Sequence, residues 1–312
     1  MKYIDMHCDT LTVCRDGGYG LAECSLQINL KSLARSGCKA QCFAVFTEGV
    51  GAKERFFDYL AFFKNQIEEH GDLLLPVKEY SDLSRAEKDG KVGAVLTVEN
   101  LGFTGGDLSI LSGLKSAGVK MASLVWNNEN AFARPNLIFE NGLPAFEKSE
   151  SRGLTALGRQ AVEMLDGLKI IVDISHLSDG GAEEILSGRK IPLVASHSNA
   201  RGVCNVSRNL SDGLIKKIAA CGGAVGVNFC ADFLGGQAFE SVARHLKRII
   251  NVGGEDVIAF GSDFDGIPEN PDIPDCTRMP SLLEYLEGEL SPRVVEKLAC
   301  KNFERVFKSV CG

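Results

Sequence analysis

An α/β barrel of eight parallel strands is the fold that the sequence predicts, as one domain over residues 1–312. Three observations favour it. Strand-like and helix-like segments alternate through the whole chain, the strand-like segments number eight, and most of these are continuously apolar. Continuous apolar runs are typical of strands that are covered on both faces of a parallel sheet. Eight alternations favour a closed (β/α)8 barrel, or TIM barrel, over an open doubly wound sheet.

The individual elements follow from hydrophobic periodicity. Strands are predicted at residues 3–8, 40–47, 93–99, 121–126, 170–176, 192–197, 224–229 and 257–263. Helices are predicted between them at residues 52–70, 108–117, 155–168, 179–187, 212–220 and 237–252. Three serines stand where a hydroxyl can cap a helix N terminus, namely Ser178, Ser211 and Ser291. The proline-rich residues 268–280 are predicted to be a loop at the mouth of the site.

Composition limits the classes of partner. A hydrophobic content of 45% in 312 residues allows a large core, and the formal net charge is −7 without a basic run. This balance argues against nucleic acid or an anionic membrane as a partner and favours a small molecule. No leader-like start or apolar run near membrane-spanning length is found, so a cytoplasmic protein is expected. The frequency of symmetric pairs among soluble proteins favours a homodimer.

Cysteine usage also indicates a reducing environment. The chain has eleven cysteines, an odd number, and several fall inside apolar strands. Buried free thiols are the expected state in a chain of this size. Cys8 lies between His7 and Asp9, and the two-residue period of a strand turns it to the opposite side. Cys8 is therefore interpreted as a packing residue.

Residues that can bind a metal stand at the C-terminal ends of the predicted strands, where α/β barrels carry their active sites. They are His7, Asp9, Glu99, His176, His197, Asp263 and Asp265. Three of the five histidines belong to this set, which coincidence explains poorly. The other two, His70 and His245, lie in predicted helices beside charged residues and are interpreted as surface residues.

Histidines and carboxylates without a thiolate suit Zn²⁺ or a similar divalent ion. Five ligands, His7, Asp9, Glu99, His176 and His197, exceed what one tetrahedral catalytic zinc needs, so two ions are expected. Glu99 has two carboxylate oxygens and could bridge ions about 3.5 Å apart, with a shared hydroxide between them as the nucleophile.

Other polar residues suit the acid–base and binding steps of hydrolysis. Asp263 could take a proton from the attacking hydroxide and pass it to the leaving amine. Asp265 precedes Gly266 and is interpreted as a turn residue. Arg208 could clamp a substrate carboxylate in a bidentate fork, with an ion pair as the alternative, and an ion pair is preferred for Arg201.

Together these motifs resemble the membrane (renal) dipeptidase family of the amidohydrolase superfamily. The matching pieces run in order along nearly the whole chain. They are Ile4-Asp5-Met6-His7-Cys8-Asp9, Val98-Glu99, Gly153-Leu154-Thr155 with Gly158, Val172-Asp173-Ile174-Ser175-His176-Leu177-Ser178, Ser196-His197-Ser198, Arg208-Asn209, Gly261-Ser262-Asp263-Phe264-Asp265-Gly266 and Asn302.

The resemblance implies a (β/α)8 barrel that holds two zinc ions. It implies one ion bound by His7, Asp9 and Glu99, and a second bound by Glu99, His176 and His197. It further implies that Asp263 is the acid and base that also meets the substrate amino group, and that Arg208 holds the substrate carboxylate. Members of the family hydrolyse dipeptides, and some tolerate a D residue at the C-terminal position.

Two positions depart from the family pattern. Trp126 stands where active dipeptidases carry a histidine that polarises the scissile carbonyl, and Cys230 stands where an aromatic hydroxyl is expected. Both changes concern the substrate, and Trp126 is predicted to contact it. Three hypotheses therefore remain: a binuclear zinc dipeptidase, a metal-dependent hydrolase of another small amide such as a cyclic or acylated amino acid, and a barrel that binds a small ligand without turnover.

Overall fold

The structure is a computed structural model that describes residues 1–141, 143–145 and 148–312. In these ranges the strands are β1 (Tyr3–Cys8), β2 (Cys38–Phe46), β3 (Leu74–Pro76), β4 (Val92–Glu99), β5 (Met121–Ser123), β6 (Phe139–Glu140), β7 (Leu143–Pro144), β8 (Ile171–Asp173), β9 (Val194–Ala195), β10 (Ala224–Val227) and β11 (Ile258–Phe260).

The α-helices of the same ranges are α1 (Thr10–Gly17), α2 (Leu30–Arg35), α3 (Ala52–Glu69), α4 (Tyr80–Lys88), α5 (Ser109–Ala117), α6 (Ala156–Leu168), α7 (Asp179–Leu186), α8 (Asp212–Ala220), α9 (Ala231–Leu234), α10 (Phe239–Gly253), α11 (Met279–Glu289), α12 (Pro292–Glu296) and α13 (Asn302–Cys311). Short 3₁₀ turns occur at Leu101–Thr104 and Cys276–Arg278. A π-helical turn, Lys297–Lys301, joins α12 to α13.

Eight of the strands close into a parallel barrel in the order β2-β1-β11-β10-β9-β8-β5-β4. The pairing of β2 with β4 closes it over seven residue pairs, from Ala40 with Gly93 to Phe46 with Glu99. Both of these strands are buried over almost their whole length, as continuous apolar sequence predicts. The predicted (β/α)8 barrel is confirmed.

Several strands end earlier than the sequence predicts. The predicted segments 170–176, 192–197 and 257–263 keep regular pairing only over β8, β9 and β11. Beyond these points, hydrogen bonds to side chains take the place of the backbone hydrogen bonds between strands. The Asp173 carboxylate, for example, accepts the N–H groups of Ser175 and Ser196, each at 2.9 Å. The polar strand ends are therefore irregular backbone that side chains fix in place.

The periodicity does not predict three short strands. β3 has three residues and pairs with the N-terminal part of β4, outside the ring of eight. β6 and β7 have two residues each and form a separate exposed antiparallel pair. Segments this short contain too few residues to show a strand period.

Two glycines allow β10 and β11 to lie against the end of β9. A Cβ atom on Gly226 would stand 2.0 Å from the carbonyl oxygen of Ser196, and one on Gly261 would stand 1.7 Å from the same atom. Any larger residue would push these strands apart, just below the site.

Local predictions are largely confirmed. Ser178, Ser211 and Ser291 each accept a backbone N–H from the first turn of α7, α8 and α12, respectively. All eleven cysteines are free thiols, of which nine are buried. None of the helices in the described ranges combines the length and the hydrophobicity needed to cross a lipid bilayer.

The surface assignment of the two remaining histidines is wrong for His245. His245 is 0% exposed, and its Nδ1 accepts the backbone N–H of Ala200 at 3.0 Å while its Nε2 donates to the carbonyl of Leu234 at 3.1 Å. The α10 periodicity explains this, since Val242, Leu246 and Ile249 are buried on the same face. His70, at the C-terminal end of α3, is half-buried.

The buried position of His245 predicts a loss of stability in mild acid. Burial lowers the pKa of His245 from 6.5 to about 4. The unfolded chain therefore takes up a proton below pH 6.5, while the folded protein does not until about pH 4. The contribution of His245 to stability is complete above pH 6.5 and falls by about 3 kcal/mol as the pH drops to 4.

Urea unfolding of the wild type and of His245→Gln at pH 7 and pH 5 would measure this effect. Glutamine can accept from Ala200 and donate to Leu234, but it does not titrate. We expect the wild type to lose about 2 kcal/mol more than the variant between the two pH values. An equal loss in both proteins would show that His245 does not titrate in this way.

Candidate active site

The polar residues at the strand ends converge on one buried cluster. Each member is at most 8% exposed. The cluster consists of His7, Asp9, Glu99, His176, His197 and Asp263, which follow or end β1, β4, β8, β9 and β11. The predicted convergence of the five proposed ligands and Asp263 is therefore what the structure shows.

Glu99 lies at the centre of this cluster. Its Oε2 is 3.6 Å from Nε2 of His7, and its Oε1 is 3.0 Å from Nε2 of His176 and 3.6 Å from Nε2 of His197. One carboxylate oxygen thus faces the β1 side and the other faces the two histidines from β8 and β9. This is the arrangement that a bridging carboxylate requires.

The β1 side of the cluster contains two further carboxylates. Nε2 of His7 is 3.4 Å from Oδ2 of Asp9 and 3.7 Å from Oδ1 of Asp263. Ligand atoms of His7, Glu99 and His197 lie within 4.8 Å of one another, as do those of His7, Asp9 and Asp263. Both sets of three can surround a cation.

The residues fit divalent metal ions. Nε2 of His7 and Oδ1 of Asp9 are buried without a hydrogen-bond partner among the described residues. Nε2 of His176 and Nε2 of His197 approach to 2.9 Å, so two nitrogen lone pairs meet in the same small space. Buried polar atoms normally have partners, and imidazole nitrogens with carboxylate oxygens are the donor set of catalytic zinc.

The pKa values of several residues in the cluster differ strongly from their ordinary values. Burial opposes the charged form of His7, but Glu99, Asp9 and Asp263 outweigh it and raise the pKa of His7 to about 10. Burial lowers the pKa of His176 and His197 well below 6.5. Burial, with the neighbouring Asp9, raises the pKa of Asp263 to about 6. Groups with strongly shifted pKa values are typical of functional sites.

Neighbouring side chains orient the two histidines that face Glu99. Nδ1 of His176 is 2.9 Å from Oδ1 of Asn127, and Nδ1 of His197 is 2.7 Å from Oγ of Ser196. The Ser196 hydroxyl donates in turn to Asp173 at 2.5 Å. These contacts leave both Nε2 atoms facing Glu99, which is how metal-binding histidines are usually held.

Several residues that support the site have no role predicted from the sequence. Asp5 accepts the backbone N–H of Ser262 at 2.8 Å and its hydroxyl at 2.6 Å, which fixes β1 to the end of β11. Asn228 donates to Oδ2 of Asp263 at 2.7 Å. Asp5 and Asp173 do carry a signal, because each is a buried acid within an apolar strand and shortly before a histidine.

The backbone is strained at two of the cluster residues. His176 and Asp263 have φ values of 66° and 65°, in the left-handed region. Such conformations cost about 1–3 kcal/mol each for residues other than glycine and concentrate at functional sites. Asp265, with φ of 68°, accepts the backbone N–H of Gln27 at 2.8 Å and a hydroxyl hydrogen bond from Thr10. Its interpretation as a turn residue is confirmed.

The cluster opens into a cavity of about 590 Å³, which Trp126, Arg208 and Cys230 also line. Gly266 keeps its floor open, because a Cβ atom there would stand 2.1 Å from Oδ2 of Asp9. Of the predicted mouth loop, Pro268 lines the cavity. The later part of that loop was misassigned, since Cys276 is buried and its N–H donates to the carbonyl of Gln27.

The two candidate arginines have different surroundings. Arg201 forms a bidentate ion pair with Asp179 at 2.6 and 2.8 Å, as preferred from the sequence. Arg208 is 3% exposed, and its Nη2 is 3.0 Å from Nε2 of His176. Nη1 of Arg208 is buried without a hydrogen-bond partner among the described residues. Arg208 is therefore the arginine that faces the cavity.

A (β/α)8 barrel that gathers three histidines and three carboxylates at the C-terminal ends of its strands, next to a cavity, is typical of the class of metal-dependent hydrolases. A sequence model of the membrane dipeptidase family, peptidase family M19, matches residues 1–311. The chain belongs to this family and is an enzyme of the metallodipeptidase class. The reading as a barrel without turnover is therefore not retained.

Two relatives are similar to this chain in sequence. A protein of Klebsiella pneumoniae described as lying in the pqqA 5′ region is 32% identical over 80% of this chain and 94% of its own length. An uncharacterized dipeptidase of Schizosaccharomyces pombe is 33% identical over 70% of this chain and 53% of its own length.

Solved structures share the fold. Dipeptidase AC, a metallopeptidase of family M19, is 25% identical with a TM-score of 0.91 and covers 100% of this chain and 99% of its own. A metallopeptidase of Rhodobacter sphaeroides, solved with a phosphinate mimic of the dipeptide L-Ala-D-Ala, is 24% identical with a TM-score of 0.89 and covers 99% of both chains.

Proposed function

We propose that this enzyme is a binuclear zinc dipeptidase that recognises the free C-terminal carboxylate of its substrate and tolerates a D residue there. One observation supports this above the others: a buried arginine with an unused N–H group faces the same cavity as the six-residue cluster. The cluster suits amide hydrolysis, and the arginine suits a substrate that ends in a carboxylate.

In this proposal His7, Asp9 and Glu99 hold one zinc ion, and Glu99, His176 and His197 hold the other. When bound, the ions would supply Lewis acidity that polarises the scissile carbonyl and makes water a better nucleophile at neutral pH. Oδ1 of Asn127 and Oγ of Ser196 accept the Nδ1–H groups of His176 and His197, which keeps both histidines in the tautomer that has its lone pair on Nε2.

Asp263 moves the proton. Asn228 donates to its Oδ2, so its Oδ1 remains directed at the cluster, 3.7 Å from Nε2 of His7. A carboxylate held in this way takes the proton of the attacking water and delivers it to the amine of the departing amino acid. In the metal-free site, burial raises the pKa of Asp263 to about 6, and release of the proton to the leaving amine returns Asp263 to the carboxylate form for the next turnover.

Arg208 positions the substrate. Its guanidinium lies over the ring of Phe233 at 5.4 Å and has no ion pair with a carboxylate among the described residues. A buried cation in this state is stabilised when an anion binds it. A peptide carboxylate matches the planar fork of the guanidinium.

Trp126 lines the cavity in which the substrate is proposed to bind. Its ring packs against Phe46 with centroids 4.8 Å apart, and its centroid is 6.1 Å from that of His176. An indole cannot carry positive charge, so carbonyl polarisation in this enzyme relies on the metal ions. Trp126 and Cys230 also favour the second candidate, a metal-dependent hydrolase of cyclic or acylated amino acids.

A substrate panel would separate the two candidates. Zinc-loaded enzyme is assayed with L-Ala-L-Ala, L-Ala-D-Ala, their C-terminal amides, N-acetyl-alanine and a cyclic dipeptide. We expect kcat/KM for free dipeptides to exceed that for the amides by about 100-fold, because a charge-assisted bidentate pair with Arg208 is lost. In Arg208→Met this ratio should approach one. Turnover of N-acetyl-alanine or the cyclic compound alone would support the second candidate and refute the first.

A further inference from the structure

The barrel order places the segment after β2 opposite the segment that carries Arg208. Counting around the ring, β9 is the fourth strand from β2 in either direction. Arg208 follows β9, and a set of cavity-lining residues follows β2 or lies on the adjoining helices α1 and α3. We call this set the β2 wall: Asp16, Phe46, Thr47, Glu48, Arg55 and Tyr59.

This placement fixes which part of a dipeptide meets the β2 wall. If Arg208 holds the C-terminal carboxylate and the scissile bond lies at the metal cluster, the N-terminal residue extends away from Arg208. Its side chain then points to the opposite side of the cavity. The β2 wall is therefore the surface that the first side chain of the substrate contacts, an assignment that rests on the proposed function.

The apolar residue of the β2 wall, Phe46, is extended by a neighbour from the segment after β5. Phe46 and Trp126 both line the cavity and pack against each other with ring centroids 4.8 Å apart. Such a surface suits the methylene groups of a long side chain, which gain by leaving water.

The β2 wall also carries two carboxylates, those of Glu48 and Asp16. Glu48 is half-buried, and its Oε1 accepts a hydrogen bond from Nδ2 of Asn128 at 2.9 Å. Asp16 accepts one from the hydroxyl of Tyr59 at 2.8 Å. Both donors are neutral, so neither bond cancels the charge of the carboxylate.

The cation of the β2 wall, Arg55, donates hydrogen bonds to main-chain carbonyl groups. Its Nη1 donates to the carbonyl of Val50 at 2.8 Å, and its Nη2 donates to the carbonyl of Glu48. These bonds hold the loop after β2 in place and direct the guanidinium at main-chain oxygens. Two carboxylates against one guanidinium leave the wall with a net negative charge.

We infer that the β2 wall selects dipeptides whose N-terminal residue is arginine or lysine, with Glu48 as the specificity-determining residue. The methylene stem of such a side chain packs on Phe46 and Trp126, and its cationic head reaches Glu48. A cation near the faces of these aromatic rings gains further attraction. Short or anionic side chains lack one or both of these interactions.

The test compares two substrates of nearly identical shape, L-Arg-L-Ala and L-citrulline-L-Ala, on the zinc-loaded enzyme. Citrulline replaces the guanidinium with a neutral urea group. We expect kcat/KM to be about tenfold higher for the arginine substrate, as one charge-assisted interaction provides. The ratio should fall as ionic strength rises, because Glu48 is only half-buried.

Glu48→Gln removes the charge but keeps an oxygen for Asn128, and it should bring the ratio close to one. Glu54→Gln is the matched control, since Glu54 is exposed on the first turn of α3 and the change in net charge is identical. The control should keep the wild-type ratio. Equal turnover of both substrates by the wild type, or an unchanged ratio in Glu48→Gln, overturns the inference and leaves the dipeptidase intact. Failure to hydrolyse either substrate overturns the inference alone if L-Ala-L-Ala is still cleaved, and failure with all three also refutes the proposed function.

Discussion

Replacing Glu99 with glutamine should remove metal from the site and reduce kcat at least about 10³-fold, which corresponds to several kcal/mol of lost Lewis-acid stabilisation. Glu99 faces Nε2 of His7, His176 and His197 within 3.6 Å. The glutamine amide keeps one acceptor oxygen and loses the charge, so it cannot serve both sides of the cluster. Elemental analysis of zinc-supplemented protein, together with turnover of L-Ala-L-Ala, measures both effects.

The expected metal content is two zinc ions per chain for the wild type and fewer than one for Glu99→Gln. Circular dichroism should show an intact fold, because the substitution removes a charge from a cluster of buried carboxylates. Glu54→Gln again serves as the control and should keep full metal content. Retention of two ions with wild-type turnover would exclude Glu99 as the shared ligand.

Replacing Asp263 with asparagine should separate catalysis from metal binding. Proton transfer by a positioned side chain contributes about 10²- to 10⁴-fold to the rate, and kcat should fall by that factor. Metal content should stay at two ions, because the proposed ligand set does not include Asp263. Asparagine also tolerates the left-handed backbone at this position, where φ is 65°.

The outcome decides between two readings of the geometry, since Asp263 lies within 4.8 Å of His7 and Asp9 ligand atoms. Loss of one ion in Asp263→Asn would make Asp263 a ligand instead of a proton carrier. Asp272→Asn provides the control, because Asp272 is exposed in the loop before α11. Wild-type kcat in Asp263→Asn would refute both roles.

The barrel could be predicted because its strands are buried on both faces, which makes their sequences apolar without interruption. The convergence of the proposed ligands follows from the same fact, since the C-terminal ends of parallel strands meet at one end of the barrel. The strand ends themselves were predicted too long. There, side chains such as Asp173 replace the backbone ladder, and hydrophobic periodicity does not detect this.

The surroundings of the cluster were harder to predict. The surface prediction for His245 is wrong because the charged neighbour Arg244 suggests exposure, whereas the spacing of Val242, His245 and Leu246 places all three on the buried face of α10. The support that Asn127 and Asn228 give to His176 and Asp263 depends on contacts between residues at least 35 positions apart. Such contacts have no local pattern in a single sequence.

The buried acids Asp5 and Asp173 tie the strand ends that carry the proposed ligands to their neighbours, whereas Glu48 and most of the β2 wall lie in the loop after β2 and on α1 and α3. The residue proposed to choose the substrate, Glu48, therefore lies outside the strand ends that carry the residues proposed to break the bond. A substitution at Glu48 is expected to change the substrate preference of the enzyme while the proposed metal ligands stay in place. In evolutionary terms, a specificity residue in a loop outside the barrel allows substrate preference to change by single substitutions while the residues proposed for catalysis are kept.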